Sequence, residues 1–438
     1  MRSPRRNIRT AVVAVTALVL TVSACTAQKK TDTGSAGAGA SSTSGAASPA
    51  ASARGVTADT IKIGIVYPDL ASIRQYVNID HGDYEAVYKA LIQRVNDAGG
   101  INGRKIEPVF GKLNLVSPAA STTTCVSLTE DQKVFAVLGN ASADEPLCYV
   151  KDHSTAFIGG DLNAARYAQA KAPWFSHGRG GDEIADGMGL FNADISFASK
   201  KVAVLSNVND QAVMNNVAIP ALAKLGVTPV QTGVLDAPAQ DPAAVGQQTG
   251  VFIQKFTAAG ADTVVLVGSI GASFPQVLEH TQYRPRLLFT DYLQAEGYIS
   301  DKGKHDYTTL TGAEALGLSQ KWNAPNLQDC MTYLETALPD LKGKLTIDPA
   351  TVPAGQPNPI VSATVACQFL NLFKAIATKA GKDLNYQTFQ AAGFALGPYS
   401  DPGYTDQATY SKDSPAGNIP VRLFKYDAAT KQFTVSAS

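Results

Sequence analysis

An excess of charge of either sign is missing: 37 Lys and Arg stand against 37 Asp and Glu, for a formal net charge of zero. A nucleic-acid partner asks for a basic face, and no stretch interleaves aromatics with Lys or Arg. None of the five cysteines forms a C-x-x-C pair, which argues against structural zinc and thioredoxin-like redox chemistry. Histidine is scarce, and His81, His153, His177, His280 and His305 stand apart, without ligand or triad spacing. V-G-S-I-G at Val267–Gly271 lacks the leading Gly of a nucleophile elbow, and G-R-G-G-D-E at Gly178 lacks the Lys and Ser/Thr of a phosphate loop. With no motif to support a secreted hydrolase, no catalytic residue, metal or cofactor is assigned. Beyond the N-terminal run, no apolar segment is expected to reach membrane-spanning length.

What is present begins with an export signature. Arg2, Arg5, Arg6 and Arg9 precede the apolar run Ala11–Leu20, which falls short of the ~20 residues a bilayer span needs. Ser23 and Ala24 then stand immediately before Cys25, as in a lipobox. Residues 1–24 are therefore expected to be a lipoprotein signal peptide, with Cys25 becoming the lipidated, palmitate-bearing first residue. Arg5 and Arg6 are similar to a twin-arginine signal without its flanking residues. From Thr26 to Arg54 the chain is almost entirely Ala, Ser, Gly and Thr, a tether whose root-mean-square reach is roughly 30 Å. The expected location is extracytoplasmic, on the cell membrane by a lipid anchor. Losing four signal arginines from a chain of zero formal charge leaves the mature body near −4. Cys125, Cys148, Cys330 and Cys367 remain, and in an exported chain they suggest two disulfides, with three pairings possible.

The body opens with Thr60–Phe110. Ile61, Ile63 and Ile65 alternate with Lys62, Gly64 and Val66 in a β-branched run that reads as a strand. Tyr84, Val87, Tyr88, Leu91, Ile92 and Val95 share one helical face, which ends at Gly99 and Gly100. Lys105–Phe110 is extended again. Strand, helix and strand with short connections make a right-handed crossover unit of a parallel sheet. Further strands are expected at Val134–Leu138, Ala156–Ile158, Lys201–Ser206, Thr263–Val267 and Arg286–Thr290, with a helix over Gln211–Leu225 perturbed by Pro220 and a final hairpin turning at Asp427–Thr430. A body of about 380 residues exceeds what one core supports, so two lobes are expected.

I-K-I-G-I-V-Y-P, V-N-D-A-G-G-I-N-G-R-K-I and V-F-A-V-L-G-N-A-S-A, in that order, resemble the type I solute-binding proteins of ABC importers, in the branched-chain amino acid branch. The resemblance runs from about Val56 to the C-terminus. It implies an α/β fold of two doubly wound, Rossmann-like parallel-sheet lobes joined by three crossing strands. The N-terminal lobe would hold 55–176 and 312–398, and the C-terminal lobe 177–311 and 399–438. Crossings are expected at Trp174–Glu183, near Leu310–Leu318 and at Gly397–Gly403, with Asp182 capping the helix that opens the second lobe. Relatives often bridge the region of Cys125 and Cys148, so that pair is expected, with Cys330 to Cys367 as the other. The implied function is capture of a small polar molecule, an amino acid or a related compound, by a monomer that delivers it to an ABC permease. A ligand-binding sensor for a membrane receptor is the alternative.

In open α/β sheets small molecules bind beyond the carboxyl ends of strands, where loop amides and helix N-termini converge. That rule selects Tyr67–Arg74, Asn140–Asp144 and Asp161–Asn163 in the first lobe, and Asn207–Gln211, Ser269–Gly271 and Asp291–Tyr292 in the second. The candidate ligand residues are Tyr67, Ala141, Ser142, Asp161, Asn163, His177, Arg179, Asn209, Asp210, Ser269, Asp291 and Tyr292. Tyr67 offers an aromatic wall, and Ser142 a hydroxyl that is either a ligand contact or a plain helix cap. The resemblance gives a ligand carboxylate to Ser142 and an ammonium to Asp291. The chain departs from that pattern at Gly159–Asn163 and at Asn207–Asp210. Asp161 would repel a nearby carboxylate by ~4 kcal/mol at 4 Å for an effective dielectric constant near 20. If it points inward, a polyol, an amide or a cation suits the site better than a simple branched-chain amino acid; otherwise it faces water. His177 and Arg179 either offset a ligand's negative charge or pair within the protein.

Overall fold

A computed structural model describes residues 53–74, 79–115, 117–238, 241–300, 305–349, 352 and 356–436. The expected signal peptide, Cys25 and the tether up to residue 52 lie outside these residues. The opening strand β1, Thr60–Pro68, buries Ile61, Ile63 and Ile65. The helix Tyr84–Asp97 follows, its first turn capped by the Asp83 carboxylate, which accepts from the Ala86 N–H at 3.0 Å. Its buried residues are Tyr84, Val87, Tyr88, Leu91, Ile92 and Val95, the stripe that a 3.6-residue period marks. Gly99 and Gly100 end it in left-handed backbone, and a Cβ on Gly100 would stand 2.0 Å from the Arg104 carbonyl oxygen. The chain then enters β2, Lys105–Leu113, parallel to β1. β3 (Ala136–Gly139), β4 (Ala156–Gly159) and β5 (Trp174–Phe175) complete an all-parallel sheet of order β2-β1-β3-β4-β5.

The second sheet repeats that plan. β6 (Val202–Asn207), β7 (Gln231–Leu235), β8 (Thr263–Val267), β9 (Arg286–Phe289) and β10 (Glu314–Leu318) lie parallel in the order β7-β6-β8-β9-β10. A short ribbon, β11 (Gly397–Tyr399) with β12 (Ala408–Tyr410), precedes the hairpin β13 (Val421–Asp427) and β14 (Gln432–Val435), which extends the second sheet antiparallel to β10. Each sheet has an apolar cluster on both faces, the doubly wound arrangement of an α/β fold. Helices Pro325–Ala337, Ile360–Ala380 and Tyr386–Phe394 bring Leu327, Phe369, Phe373 and Phe389 onto the first sheet, among Ile61, Ile63 and Tyr88.

Several expectations are corrected. Glu314–Leu318 is a strand of the second sheet, paired on both edges, so the return to the first lobe falls after Leu318 rather than near 312. Residues 399–419 do not leave with the C-terminal lobe: Tyr404, Ala408, Tyr410 and Ile419 belong to the first lobe's core. Tyr410 is held there by donating to the Ser176 carbonyl at 3.0 Å. Asp182 occupies the N-cap position of the helix Glu183–Ile195 but makes no side-chain cap there; it accepts instead from the Ala164 N–H at 2.7 Å, at the start of a first-lobe helix. The helix expected over Gln211–Leu225 contains a widened π turn at Met214–Ala218, just ahead of Pro220, whose missing N–H and ring disfavour a regular α turn. Ile360–Ala380 is long and apolar enough to cross a membrane by length and composition, although 72% of its most apolar window is buried within the protein. Both expected disulfides are present, Cys125–Cys148 and Cys330–Cys367, with Cα atoms 6.4 and 6.3 Å apart.

Candidate functional site

In each sheet the build-up reverses beside its first strand, between β1 and β3 and again between β6 and β8. In open α/β sheets such a reversal is where the loops leaving neighbouring strands diverge and small molecules bind. After β3, Ala141 is buried while Ser142 and Ala143 are exposed. The Ser142 N–H donates to Glu145 Oε2 at 2.9 Å, and the Ala143 N–H donates to Asp161 Oδ2 at 2.8 Å. Asp144, not Ser142, is the N-cap of the short helix that follows. Arg166 braces this corner, with Nε donating to Asp144 Oδ1 at 2.9 Å and Nη1 to the Asp161 carbonyl at 3.3 Å. Asn163 caps the helix Ala164–Tyr167, and its amide also reaches the Gly180 carbonyl at 3.5 Å.

The second lobe has a matching corner. Asp210 Oδ2 accepts from the Ser269 N–H at 2.9 Å and from its hydroxyl at 2.8 Å, and the Asn207 amide donates to the same hydroxyl. Gly268 has to be glycine here: φ is 68°, and a Cβ would stand 2.3 Å from the Asp210 carboxylate. Asn209 is exposed beside them. Asp291 accepts from the Leu293 N–H at 2.9 Å and from the Gln294 amide at 3.3 Å. Burial lifts its carboxyl above the ordinary range, and the charge of Asp210 adds to the lift. The Tyr292 ring stacks on Phe424 at 4.1 Å.

Among the described residues, the remaining candidates make no hydrogen bond to the side chains of these corners. Tyr67 stacks on Tyr84 and donates to Glu85 Oε1 at 2.6 Å, lining a groove of about 500 Å³ together with Asp69, Asp80, Lys89 and Lys112. Burial, with the Glu85 charge, pushes the Tyr67 hydroxyl up, and the same hydrogen bond holds Glu85 below the ordinary carboxylate range. Arg179 is committed to Asp186, Nη1 to Oδ2 at 2.6 Å. His177 turns inward, stacked on Phe369 at 4.9 Å with its side chain 15% exposed. Burial drops its pKa to about 4, so the ring is neutral at physiological pH.

Three carboxylates escaped the reading of the sequence. Glu145 carries only the weak signal of an acidic residue before Pro146 at a helix start. Glu183 accepts from the Gly181 N–H at 3.0 Å, and burial raises its carboxyl although the neighbouring Arg179 pulls it part of the way back. Asp401 is 0% exposed, neither of its oxygens has a hydrogen-bond partner, and Oδ2 lies 3.8 Å from His177 Nδ1. It stands in G-P-Y-S-D-P-G, where the turn residues hide how deep the acid lies.

The family described as periplasmic binding protein matches residues 60–282. Among curated proteins, none matches the chain. Solved structures resemble it in fold. A type 1 periplasmic binding protein from Bordetella pertussis Tohama I shares 17% identity at a TM-score of 0.61, covering 86% of this chain and 100% of its own. An ABC transporter substrate-binding protein from Desulfitobacterium hafniense, solved in complex with Leu, shares 14% at 0.57, covering 86% and 100%. A fatty acid ABC transporter substrate-binding protein from Thermomonospora curvata shares 14% at 0.59, covering 88% and 93%. With the repeated sheet order and the match over more than half its length, this chain belongs to the periplasmic binding protein family, in the two-lobed, type I form.

Proposed function

We propose that the protein is a lipid-anchored, extracytoplasmic solute receptor that closes its two lobes on a small molecule without chemistry and delivers it to an ABC permease in the membrane. The observation that carries this reading is the duplicated strand order, in which the loops Asn140–Asp161 and Asn207–Ser269 follow the strands beside the reversal in two similar sheets, where this fold class takes small molecules. The reading puts the lobe boundaries near residues 177, 319 and 420, supported by the sheet or core that each segment joins. The export signal, Cys25 and the tether support a membrane-held body, and the family supports binding over catalysis.

Ligand-stripped protein should gain thermal stability with its cognate solute by RT ln(1 + [L]/Kd), about 2.7 kcal/mol at a hundredfold excess over Kd. A melting screen over amino acids, amides, polyols, polyamines and fatty acids checks this; the last class is included because one fold neighbour is a fatty acid ABC transporter substrate-binding protein. A uniformly flat screen would count against a receptor for such solutes.

A further inference from the structure

We propose that the solute is an organic cation rich in N–H donors, an amine or amidine with no carboxylate to place, because the chain's own carboxylates already occupy the amides that would receive an acid. This rests on the reading of the interlobe loops as a solute site. In the first lobe two consecutive amides, Ser142 and Ala143, are the donors that a turn of this kind would offer an anion. One is taken by Glu145 at 2.9 Å and the other by Asp161 at 2.8 Å. In the second lobe the Ser269 amide and hydroxyl are both taken by Asp210. A solute carboxylate would have to displace these groups and then remain beside the displaced charge.

At the Ser142–Asp161 corner the cations are already engaged or uncharged, while Arg74 and Lys112 line the Tyr67 groove instead. Arg166 is held by Asp144 at 2.9 Å and Arg179 by Asp186 at 2.6 Å, and His177 is neutral. Among the described residues Glu145, Asp161, Asp210 and Asp291 have no ion-paired Lys or Arg, so these two corners offer acceptors and negative charge with their own amide donors consumed. A separate observation points the same way. Asp401, wholly buried and with both oxygens lacking partners, faces His177 on the segment that also carries Gly180, where a Cβ would stand 3.0 Å from Asp161. A buried carboxyl with no donor of its own thus lies against the segment that packs on the acidic loop.

The test is a melting and titration series on the full-length, ligand-stripped protein with putrescine, spermidine, agmatine and benzamidine, against leucine, glutamate and octanoate, and against ribitol and acetamide. Expected are shifts with members of the first group alone, and about a tenfold loss of affinity in Asp161→Asn or Asp210→Asn, each first shown to melt normally without solute. A shift with a carboxylate-bearing or uncharged member and none with the cations overturns the proposal and leaves the receptor reading intact. Cation binding that ignores both substitutions also overturns it. A panel silent in every group removes the receptor reading, and this inference with it.

Discussion

Asp401 and His177 meet inside the first lobe, where burial disfavours both charges, lowering the imidazole and raising the carboxyl. Their effects on stability run in opposite directions with pH. His177 titrates near 6.5 when unfolded and about 4 when folded, so its share of stability is whole above pH 6.5 and lost as pH falls toward 4, by up to about 3 kcal/mol. Burial raises the Asp401 carboxyl well above the ordinary range, so keeping it buried becomes costlier as pH rises past that range. Tyr399, Tyr404 and Tyr410, which face Asp401, have hydroxyls pushed upward by burial and stay neutral across this range. Asp401→Asn should therefore expose a rise in urea stability from pH 4 to 6.5 that Asp401→Asn with His177→Phe lacks. Identical profiles for the two variants would mean that the imidazole is not held neutral. None of this was legible in the sequence, where His177 read as a charge-bearing hinge residue, since burial of a loop acid depends on partners more than 200 positions away. Asp161 was legible as a misfit for a carboxylate solute, but its hold on the Ala143 amide, 18 residues distant, was not.

At the scale of elements, local periodicity carried the reading furthest. The helix Tyr84–Asp97 buries the six residues its period selects, and the glycines after it take the backbone they were expected to take. Gly100→Ala should cost roughly 2 kcal/mol or more, since it combines a positive φ with a Cβ driven against the Arg104 carbonyl. Gly103→Ala, with φ 87° and open space around the added methyl, should cost only about 1 kcal/mol. Equal losses in denaturant melts would show that the Arg104 turn yields freely. Periodicity said less where neighbours decide. The strand at Glu314–Leu318 has no local mark of which sheet it joins, because that is set by its edges against β9 and β13. The π turn at Met214–Ala218 likewise answers to Pro220 and to packing, and leaves the apolar spacing almost unchanged.

For the whole molecule, the two lobes are built alike but reinforced unequally. Cys330–Cys367 lies in one core cluster of the first sheet and Cys125–Cys148 against the other, while the second sheet's clusters contain no cysteine. On the chain-entropy model the two closures contribute about 4 and 3.5 kcal/mol. Reduction should therefore lower the unfolding of the first lobe alone and split a calorimetric melt into two transitions; a single transition that merely moves would mean that the lobes unfold as one unit. The hairpin at the far end of the chain carries a different consequence. β10 gains its outer neighbour only from β13, about 100 residues later. A ribosome adding ~5–20 residues per second leaves that strand with an unzipped flank for roughly 5 to 20 seconds, a window in which a nascent chain can be captured by a stray strand or a chaperone.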